Sequence, residues 1–247
     1  MDIQLVKSLC NSALDAYKQP VHKTNTQWAN WIKLIYPDAK TFSRDGCQAF
    51  LSHTDDHTLV SFRGTDTDDF LDLFADVKFR SKKYDYGTVH RGFDGHLDKI
   101  WDLIVRSLKG KKLIITGHSL GGALATLFAF RMELKQPGIV KSLVTFGAPR
   151  VGGKKFASMA DKILGAKALR VVNNNDLIPR LPHCIPFCYL WGQSQYTHCF
   201  DELYIDRAGV GKTNPHWVSK MIDRILGYRF GDLFGEHSQY KERVLKL

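Results

Sequence analysis

The sequence predicts an α/β fold with a mostly parallel central sheet and helices on both of its faces. Short apolar segments of strand length alternate with segments of helical periodicity through the middle of the chain, a pattern typical of strand–helix–strand units. The 247 residues contain no internal repeat and no obvious linker. We therefore expect a single domain over residues 1–247.

The predicted elements can be followed in order along the chain. Residues 1–17 carry apolar side chains at helical spacing and predict a surface helix. Strands are predicted at residues 57–62, 113–116, 139–146, 168–172 and 200–205. Helices are predicted at residues 93–108, directly after Ser119, at 154–164 and at 215–226, where a proline suits the first turn.

Composition limits the classes of partner and the compartment. The formal net charge of +10 favours anionic partners such as acidic lipid headgroups, with a merely solvated basic surface as the alternative. No nucleic-acid-binding signature is present, so no nucleic acid is expected as a partner. Neither a signal peptide nor an apolar segment of about 20 residues is recognised, and the five cysteines show no disulfide framework. We therefore expect a cytoplasmic protein with reduced thiols.

The segment Gly117-His118-Ser119-Leu120-Gly121 matches the G-x-S-x-G pattern of a nucleophile elbow. In that turn the serine has a strained backbone and projects its oxygen above the sheet, so the positions two residues away must lack side chains. The segment follows an apolar strand and precedes a helix rich in small residues, whose N-terminus favours developing negative charge. The alternative is a glycine turn in which the serine only caps the helix.

Six segments, taken in order, match one known family. They read VSFRGT at 60–65, VHRGF at 89–93, ITGHSLGGA at 115–123, TFGAPRVG at 145–152, VNNNDLIPRLP at 172–182 and, more loosely, EHSQY at 236–240. In these segments the sequence resembles the class 3, or fungal-type, triacylglycerol lipases. Glu236 is a departure, because the family usually has aspartate there. The resemblance implies an α/β-hydrolase fold with a short helical lid, and hydrolysis of lipid esters without a cofactor or metal.

The resemblance also implies a catalytic triad in which Ser119 attacks the ester carbonyl, His237 transfers the proton and Asp176 orients the imidazole. Asp176 follows a predicted strand in a turn of three asparagines, and the alternative is that it only closes this turn. Spacing alone does not select the histidine, although His237 is expected in a polar loop after the last helix. For His118, inside the elbow, we expect packing or hydrogen bonding under the turn. The histidines that follow Asp176 are His183, His198, His216 and His237.

An oxyanion hole needs two or more fixed donors at the carbonyl oxygen. The backbone N–H of Leu120, the residue after the nucleophile, is the first candidate. The resemblance assigns the second role to Thr65, which would otherwise be an ordinary threonine at a strand end.

Residues 68–77 are predicted to form an amphipathic helix, which the resemblance identifies as a lid that opens at a lipid surface. A plain surface helix is the alternative. Directly after it, Arg80, Lys82 and Lys83 are hypothesised to draw the open site onto anionic membranes. The apolar face of the predicted lid consists of Phe70, Leu71, Leu73, Phe74 and Val77.

Alternatives to this reading come from within and outside the enzymes. Phospholipase A1 activity would use the same catalytic groups with a different substrate entrance. A lipase-like binding or signalling module would keep the fold without catalysis. Cys184, Cys188, His198 and Cys199 have spacing compatible with structural zinc, but the family needs no metal and none is expected.

Overall fold

The computed structural model describes residues 1–16, 24–64, 81–182, 196–220 and 235–247. The helices in these residues are α1 (Ile3–Asp15), α2 (Asn25–Ile35), α3 (Arg91–Ser107), α4 (Leu120–Lys135), α5 (Lys154–Leu164), α6 (Gly235–Ser238) and α7 (Tyr240–Leu245). The strands are β1 (Lys40–Arg44), β2 (Cys47–His53), β3 (His57–Phe62), β4 (Ser81–Tyr84), β5 (Gly87–His90), β6 (Lys112–His118), β7 (Val140–Phe146), β8 (Gly152–Gly153), β9 (Ala168–Asn173), β10 (Tyr196–Thr197), β11 (Asp201–Ile205) and β12 (Gly211–Thr213).

Eight of these strands form one central sheet in the order β1-β2-β3-β6-β7-β9-β11-β12. The five inner strands from β3 to β11 are parallel, and antiparallel strands complete both edges. The predicted mostly parallel sheet is therefore confirmed. Because the inner strands are parallel, their carboxyl ends meet at one edge, where ligands bind in open α/β sheets.

Helices cover both faces of the sheet, as predicted. On one face, α3, α4 and α5 pack on the sheet around Phe93, Phe128 and Phe156. On the other, α1, α2 and α7 enclose Trp28 and Tyr240. Burying the apolar surface of these two layers is the main force that holds the sheet between the helices. In the described part of the chain, no helix is long and apolar enough to cross a membrane.

Several elements lacked a readable sequence signal. The edge strand β1 buries only Phe42 among its five residues, so it has no strong alternating pattern. A second, four-stranded sheet in the order β10-β8-β5-β4 includes β8, which consists of two glycines and so has no side-chain pattern. The helix α2 was also not predicted. The helix predicted at 215–226 is described only over residues 217–220.

A buried carboxylate ties the β4–β5 hairpin to helices α3 and α4. The Asp94 side chain is 1% exposed and accepts hydrogen bonds from Lys82 Nζ at 2.8 Å and from the Tyr84 hydroxyl at 2.7 Å. Arg131 binds its other oxygen. Burial by itself raises the pKa of this carboxyl, but the hydrogen bonds from Lys82 and Tyr84 and the charge of Arg131 hold the pKa below its ordinary value.

Candidate active site

Ser119 lies between β6 and α4, at the carboxyl edge of the parallel strands. Its φ of 56° and ψ of −130° place it in a region that favours glycine, at a cost of about 1–3 kcal/mol. Its backbone N–H donates to the Phe146 carbonyl at 2.9 Å, which holds the turn against β7. The Ser119 side chain makes no capping hydrogen bond to α4, so the alternative of a simple helix cap is not supported.

The glycines of the elbow are required by close backbone contacts. A Cβ atom on Gly117 would overlap the backbone of Gly121, and one on Gly121 would overlap the carbonyl oxygen of Phe62. A Cβ on Gly122 would come within 2.6 Å of the Ala148 Cβ. The contact of Gly121 with Phe62 also brings the end of β3 against the start of α4.

Asp176 and His237, which are 61 residues apart in the sequence, are joined by a hydrogen bond between His237 Nδ1 and Asp176 Oδ2 of 2.8 Å. Asp176 is 1% exposed, and its second oxygen accepts the Ile178 backbone N–H at 2.9 Å. Because a carboxylate accepts, Nδ1 carries the imidazole proton and Nε2 is left as the acceptor. An imidazole in this tautomer is suited to take a proton from a hydroxyl.

The expectation that His237 lies in a polar loop was wrong. It lies in the short helix α6 and is 7% exposed. Its ring is buried because Asp176 binds one nitrogen and the His118 ring packs on its face. The neighbouring residues in the sequence are polar, so the burial of His237 could not be predicted from them. It results from contacts with distant segments.

Tyr240 is a third member of the carboxylate cluster and was not singled out from the sequence. Its hydroxyl donates to Asp176 Oδ2 at 2.7 Å and accepts the Asn173 backbone N–H at 2.9 Å. Burial, and next the charge of Asp176, raise the pKa of Tyr240 well above its ordinary value, so the hydroxyl stays a donor. No helical spacing signalled it, because His237 lies in α6 and Tyr240 begins the separate helix α7.

Gly147 lies directly beneath this cluster, with a φ of 58°. A Cβ atom there would stand 2.8 Å from Asp176 Oδ2 and 3.0 Å from the His237 Cε1. Gly147, the glycine in the segment TFGAPRVG, therefore leaves the space that the Asp176 carboxylate and the His237 imidazole occupy.

His118 connects the elbow to the segment that carries His237. Its Nε2 lies 2.9 Å from the His237 carbonyl oxygen, and the two ring centroids are 4.3 Å apart. Burial lowers the pKa of His118 well below its ordinary value, so the ring is neutral. Packing and hydrogen bonding under the turn, as expected from the sequence, are thus what His118 provides.

The other histidines after Asp176 do not contact its carboxylate in the residues that the structure describes. His198 is partly buried, and its Nε2 lies 2.5 Å from the Pro179 carbonyl oxygen. Arg150 supports the same turn through its backbone N–H, which donates to the Leu181 carbonyl at 2.7 Å. His216 is exposed. His198 and Arg150 therefore hold the segment that follows the acid in place.

Several predicted positions fall outside the described residues. They include Thr65, Arg80, His183, Cys184, Cys188 and the five apolar residues of the expected lid, Phe70, Leu71, Leu73, Phe74 and Val77. Lys82, one of the proposed membrane-facing cations, is bound to Asp94. Cys199 is a buried free thiol, and the described residues contain no group of three metal-binding side chains.

Comparison with known proteins adds to this geometry. Residues 59–185, about half of the chain, match the family described as Lipase (class 3). The chain is 32% identical over 154 residues to a secreted mono- and diacylglycerol lipase of Malassezia globosa, and 28% identical over 196 residues to a chloroplastic phospholipase A1 of Arabidopsis thaliana. These matches cover 54% and 64% of this chain but only 51% and 34% of those proteins, so the chain spans about half or less of their length.

A solved lipase from Rhizopus microsporus var. chinensis has a similar fold. It is 27% identical to this chain with a TM-score of 0.61, over 82% of this chain and 73% of its own. The predicted α/β-hydrolase fold is therefore confirmed.

Proposed function

The chain belongs to the class 3 lipase family, and we propose that it hydrolyses the ester bonds of acylglycerols with Ser119, His237 and Asp176 as its catalytic groups. The observation that carries the proposal is the 2.8 Å hydrogen bond between Asp176 and His237, made by a histidine that also packs against the elbow residue His118. The secreted mono- and diacylglycerol lipase of Malassezia globosa supports acylglycerols as the substrate class.

In the proposed reaction, Ser119 Oγ bonds to the ester carbonyl carbon while its proton passes to His237 Nε2. The carbon–oxygen bond to the alcohol then breaks, and His237 returns the proton to the departing alcohol. Water attacks the acyl-enzyme in the same way, releasing the fatty acid and restoring Ser119. Asp176 holds the imidazole in the required tautomer and stabilises the imidazolium that forms.

Two donors are proposed for the oxyanion. Leu120 is the first residue of α4, and the first N–H groups of a helix have no acceptor within it. Thr65 follows β3, whose end packs against the start of α4 through Phe62 and Gly121. Residues 68–77 are proposed as the lid. Anionic membrane attraction is assigned to Arg80 and Lys83, because Lys82 is bound to Asp94.

Serine labelling combined with kinetics tests the proposal. A fluorophosphonate probe should label the wild-type chain but not Ser119→Ala. Ser107→Ala, at the last residue of α3, is the control and should still be labelled. The kcat for a short acyl ester should fall at least about ten-thousandfold in Ser119→Ala. Labelling that persists in Ser119→Ala would show that another residue is the nucleophile. A folded wild type that neither reacts with the probe nor hydrolyses esters would overturn the proposal in favour of a binding module.

Phospholipase A1 activity is the second candidate, favoured by the similarity to the chloroplastic enzyme of Arabidopsis thaliana. Hydrolysis of tributyrin, diolein, triolein and phosphatidylcholine by the same preparation separates the two. Faster release of fatty acid from phosphatidylcholine than from any glyceride would replace the acylglycerol assignment.

We also propose a cytoplasmic location. The buried thiols of Cys10, Cys47 and Cys199 are free in the structure, which suits a reducing compartment. The Malassezia globosa relative is named as secreted, so recovery of the native protein from culture medium instead of the cytosolic fraction would refute this.

A further inference from the structure

His237 needs more than one contact to present Nε2 to a nucleophile. Its hydrogen bond to Asp176 fixes Nδ1, but a ring held at one atom can still rotate about that bond. In the proposed reaction Nε2 takes the Ser119 proton, so a rotation of the ring would misdirect this nitrogen. Misplacement of a reacting group by about 1 Å costs about a hundredfold in rate. The structure must therefore contain further contacts that fix the ring plane.

His118 makes two such contacts, at different parts of the same residue. Its Nε2 lies 2.9 Å from the His237 carbonyl oxygen and, since a carbonyl can only accept, Nε2–H is the donor. This bond fixes the backbone from which the imidazole extends. The His118 ring lies across the His237 ring with centroids 4.3 Å apart and planes 33° apart, which limits rotation toward that side.

The surroundings complete this restraint. The backbone of Gly147 lies close to the His237 Cε1, which would be 3.0 Å from a Cβ there. The Tyr240 ring is perpendicular to the His237 ring at 6.2 Å. The ring of His237 is thus bounded by His118, Gly147 and Tyr240, and anchored at Asp176.

We propose that His118 is a positioning residue that fixes the orientation of the His237 imidazole toward Ser119. This rests on the proposed function, because it assumes that His237 is the base. His118 is adjacent in sequence to the nucleophile, so one backbone segment carries both the attacking oxygen and the support of the base. Any movement of the elbow moves the two together.

The neutral state of His118 suits this role. Burial is the main cause that lowers its pKa, and a positive charge on His237 lowers it further. When His237 accepts the serine proton, its neighbour therefore remains uncharged. A neutral aromatic face beside a cation is attractive, whereas a second imidazolium would repel it.

Two substitutions separate the two contacts. His118→Phe keeps an aromatic face but loses the donor to the His237 carbonyl. His118→Gln keeps an amide donor near the position of Nε2 but loses the ring. His57→Gln is the matched control, because His57 begins β3 and so lies at the amino end of the parallel strands, opposite to Ser119. The measurements are kcat and KM for a short soluble ester, the fluorophosphonate labelling rate, and the free energy of unfolding.

The kcat is expected to fall about a hundredfold in His118→Phe and about tenfold in His118→Gln, with KM nearly unchanged. The low-field proton resonance of the His237 Nδ1–H bound to Asp176 should shift or broaden in both variants and not in His57→Gln. A merely structural role would lower stability without moving this resonance or separating kcat from KM. Should the phenylalanine variant not fold, the glutamine variant decides alone.

The two levels of proposal can fail separately. Wild-type kcat and an unshifted resonance in folded His118→Gln, with Ser119→Ala inactive, would overturn the role of His118 and leave the catalytic assignment intact. An inactive, unlabelled wild type would overturn the catalytic assignment itself.

Discussion

Tyr240 and His237 donate to the same oxygen of Asp176, at 2.7 Å and 2.8 Å. The tyrosine hydroxyl therefore helps to fix the position of the carboxylate against which the imidazole is oriented. It also competes with the imidazole for the electron density of that oxygen. One oxygen of Asp176 is thus held by donors from two short helices, α6 and α7, while its other oxygen accepts the Ile178 backbone N–H.

Tyr240→Phe should lower kcat about tenfold, because the carboxylate loses a buried donor and becomes less well oriented. Stability should also fall, by about 1–3 kcal/mol, since the Asn173 backbone N–H loses its acceptor. Tyr204→Phe is the control: its hydroxyl donates to Asn174 at 3.0 Å and is equally buried, but it does not touch Asp176. Steady-state kinetics and urea unfolding measure both effects. Equal kcat in the two variants would exclude a role for Tyr240 in orienting the acid.

Gly147→Ala should reduce kcat by about a hundredfold or more, because the new methyl group would lie 2.8 Å from Asp176 Oδ2 and force the acid or the imidazole to move. The φ of 58° adds backbone strain. Gly165→Ala is the matched control, since a Cβ there has no atom within 4 Å. Activity of purified, folded protein is the measurement, and near-normal activity of Gly147→Ala would contradict this geometry.

The buried imidazole of His90 should make the free energy of unfolding depend on pH. Burial lowers the pKa of His90 from 6.5 to about 4, so between these values the unfolded chain takes up a proton that the folded chain does not. Stability must therefore fall as the pH falls from about 6.5 toward 4, by up to about 3 kcal/mol from this group.

The substitution His90→Asn isolates this contribution. The Nδ1 of His90 accepts the Phe93 N–H at the start of α3, and asparagine is a good residue for the same capping position. Urea unfolding from pH 7.5 to 4 should show a smaller loss of stability in the variant than in the wild type. Other buried histidines contribute equally to both proteins, so parallel curves would refute the prediction.

Asp94→Asn should destabilise the protein by about 3–5 kcal/mol, because Arg131 and Lys82 lose a buried partner. Asp98→Asn removes an Arg131 contact at a side chain that is 50% exposed, and should cost less than about 1 kcal/mol. Neither change should alter KM for a short ester. Chemical denaturation distinguishes the two, and similar losses would show that burial of Asp94 does not matter.

The alternating strands and helices at the centre of the fold could be predicted from the sequence, because the inner strands and the helix at 154–164 have clear patterns of apolar residues. The edge strand β1 and the small sheet could not, since β1 buries a single side chain and β8 is formed by two glycines. The surface helix expected at 1–17 was found as α1, although one face of it is buried, with Val6 and Leu9 nearly inaccessible.

For the candidate site, the sequence supplied Ser119 through a local motif whose glycines have a steric meaning. Asp176 had a local argument, its position in a turn directly after a strand. The choice of His237 needed the family resemblance, because its contact with Asp176 joins segments 61 residues apart. The contacts of Tyr240 and Gly147 with Asp176, and of the His118 ring with His237, arise only in the folded structure. No local pattern of charge or hydrophobicity encodes which carboxylate oxygen a tyrosine will reach.

The helix α7, which begins at Tyr240, shares its core with α1, where Val6 and Leu9 pack in the same cluster as Tyr240 and Val244. The helix that begins at Tyr240 is therefore held in place by a segment more than two hundred positions away in the sequence, and the proposed activity should depend on this packing. A charged residue at Leu9 should therefore lower the proposed activity together with the stability of this face of the sheet, because Leu9 packs in the same cluster as Ile114 and Val144.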